Sequence, residues 1–153
     1  MRKPYFPAVD GTPPPLTLRV EREVRFEEVD AVGIVWHGRY PSYFEDARVA
    51  LGYRFGLGYM DFYAQGVVAP IKTLHIDHLR PLRFRESFTI EGLWHWNEAA
   101  RLNFEFILRN SADEITTRGY SVQMLLDRNH EILVVPPPFY RDFLQRWKNG
   151  ELV

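Results

Sequence analysis

Between residues 16 and 126 the chain alternates apolar and polar side chains repeatedly, and only one stretch breaks that period of two with helical spacing. Successive side chains of a strand point to opposite faces, so each alternating run marks a strand with one side against a core. Leu16, Leu18, Val20, Val24 and Phe26 alternate with Thr17, Arg19, Glu21, Glu23 and Arg25, with Arg22 as the one break. Phe88, Ile90, Trp94 and Trp96 repeat the pattern, then Leu102, Phe104, Phe106 and Leu108, then Tyr120, Val122, Met124 and Leu126. Short polar segments at 97–100 and 110–113 separate these runs and predict turns, so residues 67–126 read as four strands of antiparallel sheet.

The exception lies near residue 40. Tyr40, Tyr43, Phe44, Ala47, Leu51 and Phe55 recur at helical spacing, Pro41 suits a first turn, and Gly56 and Gly58 suit an exit, which predicts a helix over 41–55. Its polar side is expected to carry Asp46, Arg48 and Arg54, and its apolar stripe is wide enough for a helix wrapped by other structure. Phe139, Phe143 and Trp147 after Pro136, Pro137 and Pro138 predict a short C-terminal helix. Pro4, Pro7, Gly11, Pro13, Pro14 and Pro15 make residues 1–15 an extended leader, ahead of one domain over 16–153. The fold class that results is α+β, a curved antiparallel β-sheet wrapped around one central α-helix. One helix cannot cover so apolar a sheet, so a homodimer or homotetramer is expected.

Composition removes several function classes. The 153 residues include no cysteine, which excludes a disulfide framework, a thiolate nucleophile and a Cys-type zinc site. With 19 basic and 20 acidic side chains, nothing draws the chain as a whole to nucleic acid or an anionic membrane. No segment supplies eighteen uncharged apolar residues, so no integral membrane contact is expected and a cytoplasmic location is the default. His75, Asp77 and His78 are ligand types, yet on a strand His78 faces away from the other two, and no metal is assigned.

The chemistry concentrates at residues 30–40, Asp-Ala-Val-Gly-Ile-Val-Trp-His-Gly-Arg-Tyr, where a carboxylate and a glycine turn lead into the start of a helix. The first turn of a helix carries unpaired N–H groups and partial positive charge that stabilise an oxyanion. A carboxylate near such donors can attack a polarised carbonyl or activate water against it, so acyl transfer is the expected chemistry. Asp30 also suits a plain turn role through its side-chain hydrogen bonds. Glu45 is the competing carboxylate, but its spacing from Arg48 fits a structural ion pair on one helical face.

Phe26, Asp30, Gly33, Ile34, Val35, Trp36, His37, Tyr40, Phe44, Glu45, Ala47 and Arg48 together resemble the hotdog-fold acyl-CoA thioesterases, in the branch of 4-hydroxybenzoyl-CoA thioesterase and the YbgC-like enzymes. Leu79-Arg80-Pro81-Leu82 ahead of a strand is similar to the family as well. The resemblance implies that Asp30 is the catalytic carboxylate, as nucleophile or general base, and that His37 is the oxyanion donor through its backbone N–H. It implies substrate contacts from Gly33, Val35, Trp36 and Tyr40, and phosphate contacts from Arg83 and Arg85 beside Arg80. No separate cofactor is implied: the coenzyme A or acyl-carrier-protein thioester is itself the substrate. Histidine rather than tyrosine at position 37 is the YbgC-like choice, and Asn97-Glu98-Ala99-Ala100-Arg101 departs from the family's basic turn. A non-hydrolytic acyl-thioester binding or scaffold protein is the alternative expectation, with a hotdog dehydratase third.

Overall fold

The computed structural model describes residues 3–153. The elements are β1 (Leu16–Glu23), α1 (Tyr40–Phe55), α2 (Tyr59–Ala64), β2 (Ile71–His78), β3 (Ser87–His95), β4 (Arg101–Asn110), β5 (Ile115–Met124) and α3 (Pro138–Lys148). The strands form one sheet in the order β1-β3-β4-β5-β2, with every neighbouring pair antiparallel. The connection from β1 on one edge to β2 on the other spans the whole sheet and carries α1 across one face. Among the described residues no helix is long and apolar enough to cross a membrane.

Two glycines set how closely α1 approaches the sheet. A Cβ on Gly92 of β3 would lie 3.0 Å from Leu51 Cδ1 and 3.1 Å from Ala47 Cβ. On Gly119 of β5 it would lie 2.6 Å from the Phe44 ring, which stacks on Phe106 with centroids 4.4 Å apart. Missing side chains on the sheet thus make space for Phe44, Ala47 and Leu51, all buried, and dispersion contacts at that range bind the helix to the strands. Pro41 stands in the first turn, and α1 ends where Gly56 takes a φ of 77°, a left-handed stop that favours glycine.

Three features depart from the alternation. On β5 the buried residues are Thr116, Thr117, Gly119, Ser121 and Gln123, while Tyr120, Val122 and Met124 point away from the α1 face. The cause is room: Gly119 and Ser121 fit beneath the bulky α1 face where larger side chains would collide. Arg48 was expected on the polar side of α1 but is buried at 8% exposure, because α2 folds back and lays the Tyr59 ring 4.2 Å from its guanidinium carbon. The helix α2 itself carries too short a pattern to predict, and Asp61 caps it by accepting the Gly58 N–H at 2.7 Å.

Residues 4–15 contain no helix or strand, and the first two residues of the expected leader lie outside the described residues. The leader packs on the sheet face opposite α1. Tyr5 lies against Tyr120 and Phe6 against His95, with centroids 4.8 and 4.9 Å apart, and the Tyr5 hydroxyl donates to Asp77 Oδ2. Beneath it Glu105 is buried and meets His95 Nε2 at 3.0 Å and Arg118 Nη2 at 3.1 Å. Burial pushes the Glu105 carboxyl up, but the bonds to His95 and Arg118 outweigh it and hold the carboxyl below its ordinary range. At the end of β3, α3 covers Trp94 with Phe143 and Trp147, so part of the sheet is covered by the chain itself.

Candidate active site

The block at 30–40 folds as a tight hairpin that runs straight into the central helix. Asp30 N–H donates to the Ile34 carbonyl at 2.8 Å and Gly33 N–H to the Asp30 carbonyl at 3.0 Å, while Val29 and Val35 form the flanking bridge. Gly33 takes a φ of 84°, the left-handed position that closes such a turn and that other residues adopt at a cost. The Asp30 carboxylate accepts the Val32 N–H through Oδ1 at 2.8 Å, and Oδ2 has no hydrogen-bond partner among the described residues. The turn role and the chemical role therefore use different oxygens. One fixes the carboxylate, and the other stays available.

After the turn the chain is pinned on both sides. Val35 N–H donates to the Leu82 carbonyl at 2.8 Å and Trp36 N–H to the Glu28 carbonyl at 2.9 Å. A 3₁₀ turn over His37–Arg39 then leads without a break into α1. The N–H groups of His37 and Gly38 have no backbone acceptor among the described residues, as expected for the first turn of a helical run. They are joined to a helix of sixteen residues whose dipole adds positive potential at this end. The Trp36 ring folds over Gly38, where a Cβ would sit 2.2 Å from it, so only glycine lets the indole shield this end of the helix.

Asp30, Val35, His37 and Tyr40 line one cleft of about 320 Å³, closed on its far side by His78, Leu79, Arg80 and Pro81 from the end of β2. Four of the residues expected at the site are thus brought together. Gly33 and Trp36 act from behind the wall, through the turn and the helix cover. Arg83 and Arg85, expected to bind phosphate, stand outside this cleft. Arg83 is held by its own backbone, its N–H donating to Glu86 Oε1 at 2.9 Å, and Arg85 sits in a turn at φ 64° with its Nε 3.8 Å from Glu23. The cleft's basic residue is Arg80, whose Nη2 lies 3.3 Å from Glu114. The main chain bends at Arg80, which lines the cleft with Asp30, while Arg83 pairs through its backbone with Ile34 and lies outside it.

His78 is the residue that the sequence pattern undersold. Its ring meets the Tyr40 ring edge-on with centroids 4.7 Å apart. Burial lowers its pKa, the charge of His37 lowers it further, and Asp77 opposes both in part. A neutral imidazole thus faces the cleft at neutral pH. Its position at the end of an edge strand, three residues before Pro81, was the available signal. Tyr40 has its phenol pushed up by burial and stays protonated. His75 pairs with Asp77 at 3.1 Å on the opposite face, next to Tyr5. Glu45 and Arg48 form an ion pair one turn further along α1, and Tyr59 adds a long contact to Glu45 at 3.5 Å.

The arrangement brings to one cleft a fixed carboxylate with one open oxygen, the helix start at His37 with its unpaired N–H, and a neutral imidazole. Those are the parts needed to attack a carbonyl and to hold the negative charge that develops on its oxygen. Comparison with known proteins agrees in both sequence and fold. A putative acyl-CoA thioesterase, YneP of Bacillus subtilis, is 28% identical over 108 residues, 71% of this chain and 78% of that protein. A chloroplastic acyl-acyl carrier protein thioesterase of Arabidopsis thaliana is 24% identical over 135 residues, 88% of this chain and 71% of that protein. The crystal structure of DHNA-CoA thioesterase from Staphylococcus aureus superposes with a TM-score of 0.76 at 20% identity, covering 90% of this chain and 96% of that one. Together with the five-stranded antiparallel sheet and its long central helix, this is the hotdog fold. The model of the thioesterase-like superfamily matches residues 24–147, and the chain belongs to that family of thioester hydrolases.

Proposed function

We propose that the chain hydrolyses an acyl-CoA or acyl-carrier-protein thioester to the free acid and the thiol, with Asp30 as nucleophile or general base. The observation that carries this reading is the free Asp30 Oδ2 sharing a cleft with the unpaired N–H of His37 at the start of the α1 run. On the nucleophilic route, the Asp30 carboxylate adds to the thioester carbonyl and the resulting oxyanion accepts the His37 N–H. Collapse expels the thiolate, which takes a proton from solvent, and water then cleaves the mixed anhydride to restore Asp30. On the general-base route, Asp30 takes a proton from a water molecule that adds to the same carbonyl. Val35 and Tyr40 would bound the acyl group next to the reacting carbon. Arg80 is placed to meet an anionic part of the substrate, and Arg83 and Arg85 would reach one only from outside this cleft.

The reading includes a YbgC-like homodimer or homotetramer in the cytoplasm, with one catalytic domain over 16–153. β2 lies at an edge of the sheet with Ile71 and Leu74 exposed, and an edge of eight residues is a natural place for a second chain. The test is thiol release over short aliphatic, long aliphatic and aromatic CoA esters with wild type and Asp30→Asn. Asparagine keeps the turn-forming side-chain oxygen, so the variant stays folded. Turnover is expected to fall by about 10² to 10⁴ on every ester the wild type cleaves. Near wild-type turnover in Asp30→Asn refutes the assignment of Asp30. Silence of the wild type across the panel leaves acyl-thioester binding without hydrolysis.

A further inference from the structure

A second cavity lies at the other end of α1, between that helix, α2 and strands β3 to β5, with a volume of about 290 Å³. It shares no lining residue with the Asp30 cleft. Tyr40 borders one and Gly52 the other, which places them about 18 Å apart along the helix at 1.5 Å per residue. Its walls are mostly apolar, with Phe62, Trp94, Leu102 and Phe104 all buried.

Three residues of that wall, Arg48, Trp94 and Gln123, each carry one buried polar atom with no hydrogen bond among the described residues: Arg48 Nη1, Trp94 Nε1 and Gln123 Oε1. The Arg48 side chain is 9% exposed, and its Nη2 donates to Glu45 Oε1, but Nη1 is buried and makes no hydrogen bond. Gln123 is fully buried on β5, and its Nε2 donates to the Ala69 carbonyl at 2.5 Å. Because that carbonyl can only accept, the amide orientation is settled, and Gln123 Oε1 is left as a bare acceptor. A buried charged donor with an open N–H is a costly state that a bound group relieves.

The charge balance selects the sign of that group. Glu45 is 42% exposed, so water screens its carboxylate, while the guanidinium it pairs with sits away from solvent. Asp61 borders the cavity from the exposed side of α2, where its Oδ2 is already engaged by the Gly58 N–H. Inside, Arg48 dominates. The volume is about twice that of a 150 Å³ cavity that holds benzene, which scales to a ligand of about twelve heavy atoms.

We infer that this cavity is a second binding site, separate from the Asp30 cleft, for a small monocarboxylate with an apolar body, its carboxylate on Arg48 Nη1 and its body against Trp94, Leu102 and Phe104. Gln123 Oε1 accepts a hydroxyl of the ligand or of an accompanying water. The site stands independently of the hydrolytic reading, because it rests on none of the residues assigned to it.

Isothermal titration of the full chain with octanoate, and with octanamide as its uncharged counterpart, tests this. Wild type is expected to take one octanoate per chain, at least about tenfold more tightly than octanamide. Arg48→Met is expected to weaken octanoate about tenfold and leave octanamide unchanged. Leu102→Phe, which fills the cavity, is expected to abolish both. No octanoate binding at millimolar concentration, equal affinity for the two probes, or octanoate binding that survives Leu102→Phe would each overturn the site. Should Arg48→Met fail to fold by circular dichroism, the probe ratio and Leu102→Phe decide the question. Thiol release by Asp30 is read in a separate assay, so failure of one reading leaves the other standing.

Discussion

Gly119→Ala measures how tightly the central helix is held against the sheet. The added Cβ would lie 2.6 Å from two atoms of the Phe44 ring and 2.6 Å from the carbonyl oxygen of His75 on β2. Ordinary contacts begin near 3.4 Å, so each approach is too close by about 0.8 Å. The His75 oxygen belongs to the backbone of the neighbouring strand, where Ile76 pairs with Gly119, and it cannot swing aside. Phe44 is clamped from behind by its stack on Phe106. Overpacking of this kind costs roughly 1–3 kcal/mol. Against it stands the conformational gain of replacing glycine in a strand, about 0.5–1 kcal/mol. With two such approaches, one of them to backbone, the steric cost falls in the upper half of its range and wins, leaving a net loss of about 1–2 kcal/mol. An unfolding entropy of about 2.1 cal/mol/K per residue gives about 0.3 kcal/mol/K for a chain of this length, so the Tm is expected to fall by about 3–6 °C. Thermal unfolding followed by circular dichroism reads this directly. The double variant Gly119→Ala with Phe44→Leu should lose less than the sum of its parts, because the smaller side chain removes one of the two collisions. An unchanged or raised Tm for Gly119→Ala, or strict additivity in the double variant, would refute the packing argument.

Gly33→Val places a β-branched side chain at φ 84°, and the strain of about 1–3 kcal/mol should loosen the Asp30 turn and lower thiol-release turnover more than it raises KM. Unaltered turnover would show that the turn does not position the carboxylate. For His78 the folded state lowers the pKa, so the unfolded chain binds the proton first as pH falls, and stability is lost on acidification below about 6.5. Urea midpoints at pH 7.5 and 5.5 should therefore drop more for wild type than for His78→Gln, and equal drops would contradict the depressed titration. The Glu105 carboxyl is held below its ordinary range, so its stabilising effect is present above that range and is lost as the pH falls through its folded value. Glu105→Gln leaves Arg118 and His95 without their anion beneath the leader and is expected to lower the urea midpoint at neutral pH, with wild type and variant converging in acid; a constant gap would speak against it.

Much of the architecture was legible because it depends on local periodicity. The alternation at Leu16 to Val20 and at Leu102 to Leu108 marks β1 and β4, and the helical stripe from Tyr40 to Phe55 marks α1 within one residue of its observed start. The hairpin at Asp30 was legible for a similar reason: an Asx turn closed by a left-handed glycine is a contact between neighbours in the chain. Alternation failed on β5, where the apolar residues Tyr120 and Val122 face the leader and polar Ser121 and Gln123 face the core. Periodicity identifies a strand with two unlike faces. Which face is inside depends on the volume left by α1.

The same division applies to the site. Asp30 and the helix start at His37 are seven residues apart, so the local turn brings them near each other, while the bond from Val35 to Leu82 pins the segment from outside. His78 and Arg80 come to the cleft from the end of β2, far from Asp30 in sequence, whereas Arg83 and Arg85 a few residues on do not line it. Arg48 looked like a solvated charge until α2 folded over it, and the cavity beside it exists only where the two helices meet strands β3 to β5. The strands, the helix, the turn and the carboxylate are readable from linear order, since each follows from contacts within a few residues. Which faces are buried, which basic residues meet the cleft and where the second cavity lies depend on packing between segments whose spatial separation the linear order does not encode.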